Sequence, residues 1–204
     1  DGLTWDPAQI AQRSAGADPW IAMTVTSTEI DLMGSLTRET WFNAGAFPYP
    51  FEPIPGAFRE QGIAAPFSLP RDVAPVVWVS RNAQGQRVVL MRQGYDGVPI
   101  SPDPVVQQLQ GYETVTDATS FSFQLGGHTF IALIFPTAMR AWLYDVGEQL
   151  FSKWLFWNTL TSTWEAVRVR THVLTPDGTH LVGDRASGAF YDMRADVYTD
   201  VDDS

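Results

Sequence analysis

The sequence predicts an all-β fold, with repeated antiparallel β-meanders forming part of a β-propeller of about four blade-like units. Three observations predict it. Eight Trp, twelve Phe and six Tyr enrich the chain in residues that favour strands. Fourteen Pro and sixteen Gly, spread along the sequence, cut it into the short pieces that tight turns join. One plan recurs four times: a β-rich run, a tight turn, a second run, and a third run ending in aromatics.

The first unit covers about residues 20–45, with Ile21 to Val25 turning at Ser27-Thr28 into Glu29 to Met33, and Thr37 to Phe42 following. The second covers about 74–97, where Pro75 to Val79 turns through Asn82-Ala83-Gln84-Gly85 into Arg87 to Met91. The third covers about 120–147; Gly126-Gly127 separates Phe121-Ser122-Phe123 from Thr129 to Phe135, and Ala141 to Asp145 closes the unit. The fourth covers about 167–192, turning at Pro176-Asp177-Gly178 into His180-Leu181-Val182 and ending at Ala189 to Asp192. Asp-Gly and Gly-Gly supply the positive φ angles that two-residue hairpin turns demand. Turn centres near residues 28, 85, 127 and 178 recur every 40 to 60 residues or so, close to the spacing of propeller blades.

Side-chain patterning separates buried strands from half-exposed ones. Val88 to Leu90 and Phe130 to Phe135 are continuously apolar, which suits strands covered on both faces between neighbouring blades. Val167, Val169, Thr171 and Val173 alternate with Arg168, Arg170 and His172, as a half-exposed strand would. Residues 46–69 carry five Pro among Phe47, Tyr49, Phe51, Phe58 and Phe67 and read as an ordered connector whose aromatics pack on the sheets. Asp103 and Pro104 open a short amphipathic helix through Leu109, with Asp103 as its cap. The acidic end from Asp196 to Ser204 is expected to fray. The whole of 1–204 reads as a single propeller-like domain. Its opening Asp1-Gly2-Leu3-Thr4-Trp5, without an initiator Met, reads as part of a longer protein.

Charge and composition exclude several functions. The net charge is −10, and Lys153 is the single lysine among thirteen cations. Binding to a phosphate backbone works through counterions released by Lys and Arg, so specific nucleic-acid contact is not expected. No cysteine is present, which removes disulfides and thiolate metal sites. No apolar run approaches the ~20 residues of a membrane-spanning helix, and no membrane partner is expected.

No residue is assigned a catalytic, cofactor-binding or metal-binding role. His128, His172 and His180 lack the spacing of a zinc site, and His128 and His180 follow hairpin turns at equivalent places in two units. Asp145 and Asp184 lie near strand ends of successive units and could be paired as in a glycosidase, but turn residues accepting backbone N–H bonds explain them more simply. Asp192, Asp196, Asp200, Asp202 and Asp203 lack the order of a calcium loop and read as a solvated end. Ser162-Thr163-Trp164 matches only part of a sialidase-type Asp box. Trp41, Trp78, Trp142 and Tyr191 fall on equivalent strands and read as inter-blade core. Trp154, Phe156 and Trp157, beside Lys153, lie between units and could instead mark a contact surface, with core the favoured reading.

These segments also resemble a family. Thr40 to Asn43, Ile54 to Phe58, Glu60 to Pro66, Gly127 to Phe130, Phe135 to Ala138, Trp142 to Asp145, His180 to Asp184, Tyr191 and Tyr198 to Asp200 are together similar to bacteriophage packaged-DNA stabilisation proteins. The resemblance covers nearly the whole chain in order. It implies a non-enzymatic virion tail component of a short-tailed phage or prophage, assembled in the host bacterial cytoplasm. Its implied partners are other tail and portal proteins, in a homo-oligomeric ring that helps retain packaged DNA. It also implies longer parent proteins and supplies no catalytic residue and no cofactor. Two other readings remain open: a propeller carbohydrate-binding module or glycosidase of a phage adsorption apparatus, and a generic propeller interaction scaffold.

Overall fold

A computed structural model describes residues 16, 18–70, 75–158 and 161–194. Ala74, the acidic end from Asp196, and Tyr198 to Asp200 lie outside the described residues. Sixteen strands and one helix are present among those described, and every strand pair is antiparallel. The first sheet is β1 (Trp20–Val25), β2 (Glu29–Gly34), β3 (Arg38–Asn43) and β4 (Phe51–Pro53) in that order. The second is β5 (Val77–Arg81), β6 (Arg87–Gln93) and β7 (Asp96–Pro99), followed by helix α1 (Asp103–Gly111). The third is β8 (Thr119–Leu125), β9 (His128–Phe135), β10 (Arg140–Asp145) and β11 (Leu150–Lys153). A two-stranded hairpin, β12 (Leu155–Asn158) and β13 (Thr163–Ala166), leads to the fourth sheet of β14 (Val169–Leu174), β15 (His180–Asp184) and β16 (Phe190–Asp192). Each sheet is an up-and-down meander, so the all-β, blade-repeating architecture read from the sequence is the one observed.

The sheets stack face to face in chain order because their central strands are apolar on both sides. Side chains alternate across a strand, so a continuously apolar run serves two cores at once. Ile131, Leu133 and Phe135 of β9 join Val77, Val79 and Val89 in the core between the second and third sheets. Ala132 and Ile134 of the same strand face the other way, towards Val169 and Val182 of the fourth sheet. In the second sheet Val88 and Leu90 turn from Val89 to meet Met33, Ile63 and Trp78 at the seam with the first sheet. Val105 and Leu109 of α1 close the middle core. Among the described residues no such cluster joins the first sheet to the fourth, so the row of four sheets is open.

The Pro-rich connector is ordered, for a reason that centres on Gly62 rather than on all its aromatics packing on the sheets, since Phe47 and Phe67 are exposed. Its N–H donates to the Leu36 carbonyl at 2.9 Å, and the Ile63 N–H to the Gly34 carbonyl at 2.8 Å, which fastens the connector to the first sheet. Its own carbonyl accepts the Trp78 indole at 3.2 Å and the Ser80 hydroxyl at 2.6 Å, which fastens it to the second. A Cβ at residue 62 would lie 2.4 Å from the Leu36 backbone nitrogen. Gly62→Ala is therefore expected to destabilise by about 1–3 kcal/mol, read as a lower midpoint in chemical denaturation; an unchanged midpoint would mean that the connector is not clamped between the sheets.

Several local expectations are corrected. The connector contains β4, which pairs with β3; its Pro53 is tolerated because β4 is the last strand of its sheet, where a missing N–H leaves no ladder bond broken. The third unit gains β11, and the second unit's last strand continues past Gly97 to Pro99. Asp103 is the first helical residue rather than the cap; Pro102 holds the cap position with extended φ and ψ and offers no side-chain bond. In β14 the register slips between Val169 and Thr171. The bulge reverses the expected faces beyond it, so that His172 turns inward and Val173 is 55% exposed.

Candidate functional site

The histidines are placed by hairpins, as their sequence positions suggest. His128 and His180 each open the second strand of a hairpin, paired with Leu125 and Leu174 respectively. His128 Nδ1 lies 2.7 Å from Asp145 Oδ2, and its ring stacks on Phe130. His172 Nε2 and His180 Nδ1 are 2.9 Å apart, with the His172 ring stacked on Phe121 at 5.5 Å. No three His, Asp or Glu side chains converge as a metal site among the described residues.

Asp145 and Asp184 do equivalent turn work. Asp145 accepts the Gly147 and Glu148 amides at 2.9 and 3.1 Å, and Asp184 accepts those of Ala186 and Ser187. Burial pushes the Asp145 carboxyl up, but the Glu148 amide, the His128 ring and the Gly147 amide outweigh it and hold the group below its ordinary value. The two carboxylates stand at opposite ends of the third sheet. Asp145 pairs with Phe130 near the start of β9, while the residue after Asp184, Arg185, reaches the Pro136 carbonyl just beyond its end. Six residues of strand separate those points by roughly 20 Å, too far for the ~5–10 Å of a glycosidase pair.

The aromatics divide. Trp41, Trp78 and Trp142 are buried, and Tyr191 is half-buried against the core between the third and fourth sheets. Trp154 packs on that same core, whereas Trp157 is 38% exposed and faces Trp164 edge-on across the β12–β13 hairpin. Ser162, with φ of 51°, and Thr163-Trp164 belong to this hairpin.

The largest polar constellation was not foreseen in the sequence. It lies in the seam between the first and second sheets. Arg38 and Asp31 are both fully buried; Asp31 accepts the Thr40 hydroxyl at 2.5 Å and faces the Arg92 Nε at 3.0 Å. Arg92 also pairs with Glu29, which accepts the Tyr95 hydroxyl at 2.9 Å, and Arg38 donates to the Tyr95 carbonyl. Burial lowers the Arg38 pKa, opposed by the Asp31 charge. The constellation's one signal in the sequence was Asp31 set between Ile30 and Leu32, whereas Arg38, between Thr37 and Glu39, carried none. The charges face one another across a seam, as in a joint between blades, while Asp31 Oδ2, Arg38 Nε and Nη1 and Arg92 Nε make no hydrogen bond among the described residues. A nearby open groove of about 470 Å³, lined by Thr28, Glu29, Phe42, Asn43, Ile54 and Pro55, offers one carboxylate, and Arg92 and Tyr95 already hold it.

Among the described residues, the polar groups gather at the seams between sheets and at the hairpin turns. In comparison with known proteins, residues 1–198 match the model of a phage-stabilisation family, described as bacteriophage P22 Gp10, β-propeller. Among curated proteins no match is found.

Proposed function

The chain belongs to this family of phage DNA-stabilisation β-propellers, and from that premise we propose that it is a virion tail component that assembles below the portal and helps retain the packaged genome. The family is one of structural phage proteins rather than a known enzyme family. The observation that carries the reading is a match over 198 residues, through all four sheets. The chain acts as one propeller-like unit through protein–protein contacts, in a ring with further copies and against portal and tail proteins, without catalysis or a cofactor. The charge of −10 supports a conduit wall that DNA slides past, because like charges do not grip. No helix among the described residues is long and apolar enough to cross a membrane.

The test is a phage in which this gene is disabled. Heads are expected to fill and then to lose DNA, measured as nuclease-protected DNA per particle, with retention restored by supplying the protein in trans. Particles that keep a full genome without it would overturn the proposal.

A further inference from the structure

Although the chain is acidic as a whole, the third and fourth sheets carry opposite charges at their two ends. At one end four cations come together. Arg140 opens β10 beside the turn that follows β9, and Lys153 ends β11 opposite Trp142, its ammonium 6.0 Å from the indole centre. Arg185 sends its guanidinium to the Pro136 carbonyl of that turn, 3.4 Å away, and its amide bonds the Arg168 carbonyl at 2.9 Å. Arg140 and Lys153 are exposed. Three carboxylates also stand at this end: Asp117 accepts the Thr137 amide at 2.8 Å, Asp184 its own turn amides, and Glu165 on the hairpin the Asn158 side-chain amide at 2.8 Å, so the four cations outnumber them by one. Exposed apolar side chains stand among the cations. Met139 is 58% exposed at the turn, and Trp164 is 64% exposed on the hairpin, whose base is tied to Ala141 by the Trp154 amide at 2.9 Å.

The other end is the reverse. The hairpin turns there bring Asp145, Glu148 and Asp177 to the edge, with Asp192 on β16, and expose Leu150 and Leu174. The two turns belong to one surface, since Phe123 packs against both Phe130 and His180. Arg194 is the one Lys or Arg in these segments among the described residues.

Two patches of opposite sign, each with apolar anchors, are complementary to one another. Arg, Met and Trp together are the composition of a protein-binding surface. Net repulsion by the rest of the acidic chain is screened beyond about 8 Å at physiological salt for a duplex and a second copy alike, and only the second copy offers a patch of opposite sign with apolar anchors of its own. We propose that the basic end of one copy docks on the acidic end of a second copy, head to tail, through the third and fourth sheets. This rests on the reading above that copies assemble with one another, and it names the surface they use. A heterologous contact of this kind generates a ring when its rotation closes.

Charge exchange tests it. The full chain is compared with Arg140→Glu/Lys153→Glu, reversed at one end, and Glu148→Lys/Asp192→Lys, reversed at the other, by sedimentation velocity over a concentration series. The unaltered chain is expected to self-associate. Each variant alone should associate at least about tenfold more weakly, because like charges then face across the contact, and an equimolar mixture should regain the original association. A chain that stays monomeric throughout, or a mixture no better than its components, overturns the proposal. Retention of duplex DNA at physiological salt that is lost in Arg140→Glu/Lys153→Glu would assign the basic end to phosphate instead. If the disabled phage loses its DNA but the mixture fails to associate, the docking surface is wrong and the role in the virion stands.

Discussion

Replacing Trp78 with Ala is expected to cost about 3–5 kcal/mol, seen as a large fall in the chemical-denaturation midpoint with the slope unchanged. The indole is fully buried at the seam of the first two sheets, in the cluster with Met33, Ile63 and Leu90. The Arg38 guanidinium lies over its ring at 5.0 Å, and a Cβ at Gly97 would come within 2.8 Å of it. Neither neighbour can close the void easily. Gly97 is held by Gln61, which accepts its N–H and donates to its carbonyl, each at 2.7 Å, and Arg38 is tied to the Tyr95 carbonyl. A cavity that cannot collapse costs the lost transfer energy and the lost contacts together. Trp78→Phe separates these effects: it keeps most of the volume, and the Gly62 carbonyl keeps the Ser80 hydroxyl at 2.6 Å, so the cost falls to about 1–2 kcal/mol. Trp142→Ala belongs to the same class at the next seam, where the indole donates to the Tyr112 hydroxyl at 2.9 Å. A loss below about 1 kcal/mol for Trp78→Ala would mean that the first two sheets are not packed as described.

The repeat was legible because the same physics acts in every unit. Gly85, Gly126, Gly127 and Gly178 have the positive φ angles that their turns require, and those turns announce themselves in sequence. The uninterrupted apolar run of β9 told equally plainly of burial on two sides. What stayed hidden lacked such markers. β11 follows a turn whose left-handed residue is Gln149, with φ of 56°, and β13 follows one built on Ser162. Neither residue type marks such a turn, because a side chain there is a local cost that surrounding structure must offset. The bulge in β14 was equally silent: one slipped residue exchanges the faces of everything after it, so an alternation read correctly at Val169 was wrong by Val173. The gathering of Arg140, Lys153, Arg168 and Arg185 was invisible for another reason. These residues span 46 positions of sequence and meet only because the meanders return to the same end of the sheets.

The buried charges at the first seam make the sharpest distinction between what joins two blades and what merely lies between them. Asp31→Ala is expected to cost about 3–5 kcal/mol, because it strands Arg38 in a fully buried position with no carboxylate facing it and takes the Nε partner from Arg92. Arg38→Met should cost roughly half as much, since Asp31 then keeps Arg92 at 3.0 Å and the Thr40 hydroxyl at 2.5 Å while the thioether chain still covers Trp78. The asymmetry follows from counting partners: one buried anion serves two cations, so losing the anion leaves more uncompensated charge than losing either cation. The double variant Asp31→Leu/Arg38→Met removes the charge and its desolvation cost together and should recover much of the Asp31→Ala loss. Denaturation midpoints for the three variants decide the matter. Equal losses for both single variants, or a double variant as unstable as their sum, would mean that Asp31 and Arg38 act independently and that packing alone, around Trp78, sets the angle between the first and second sheets.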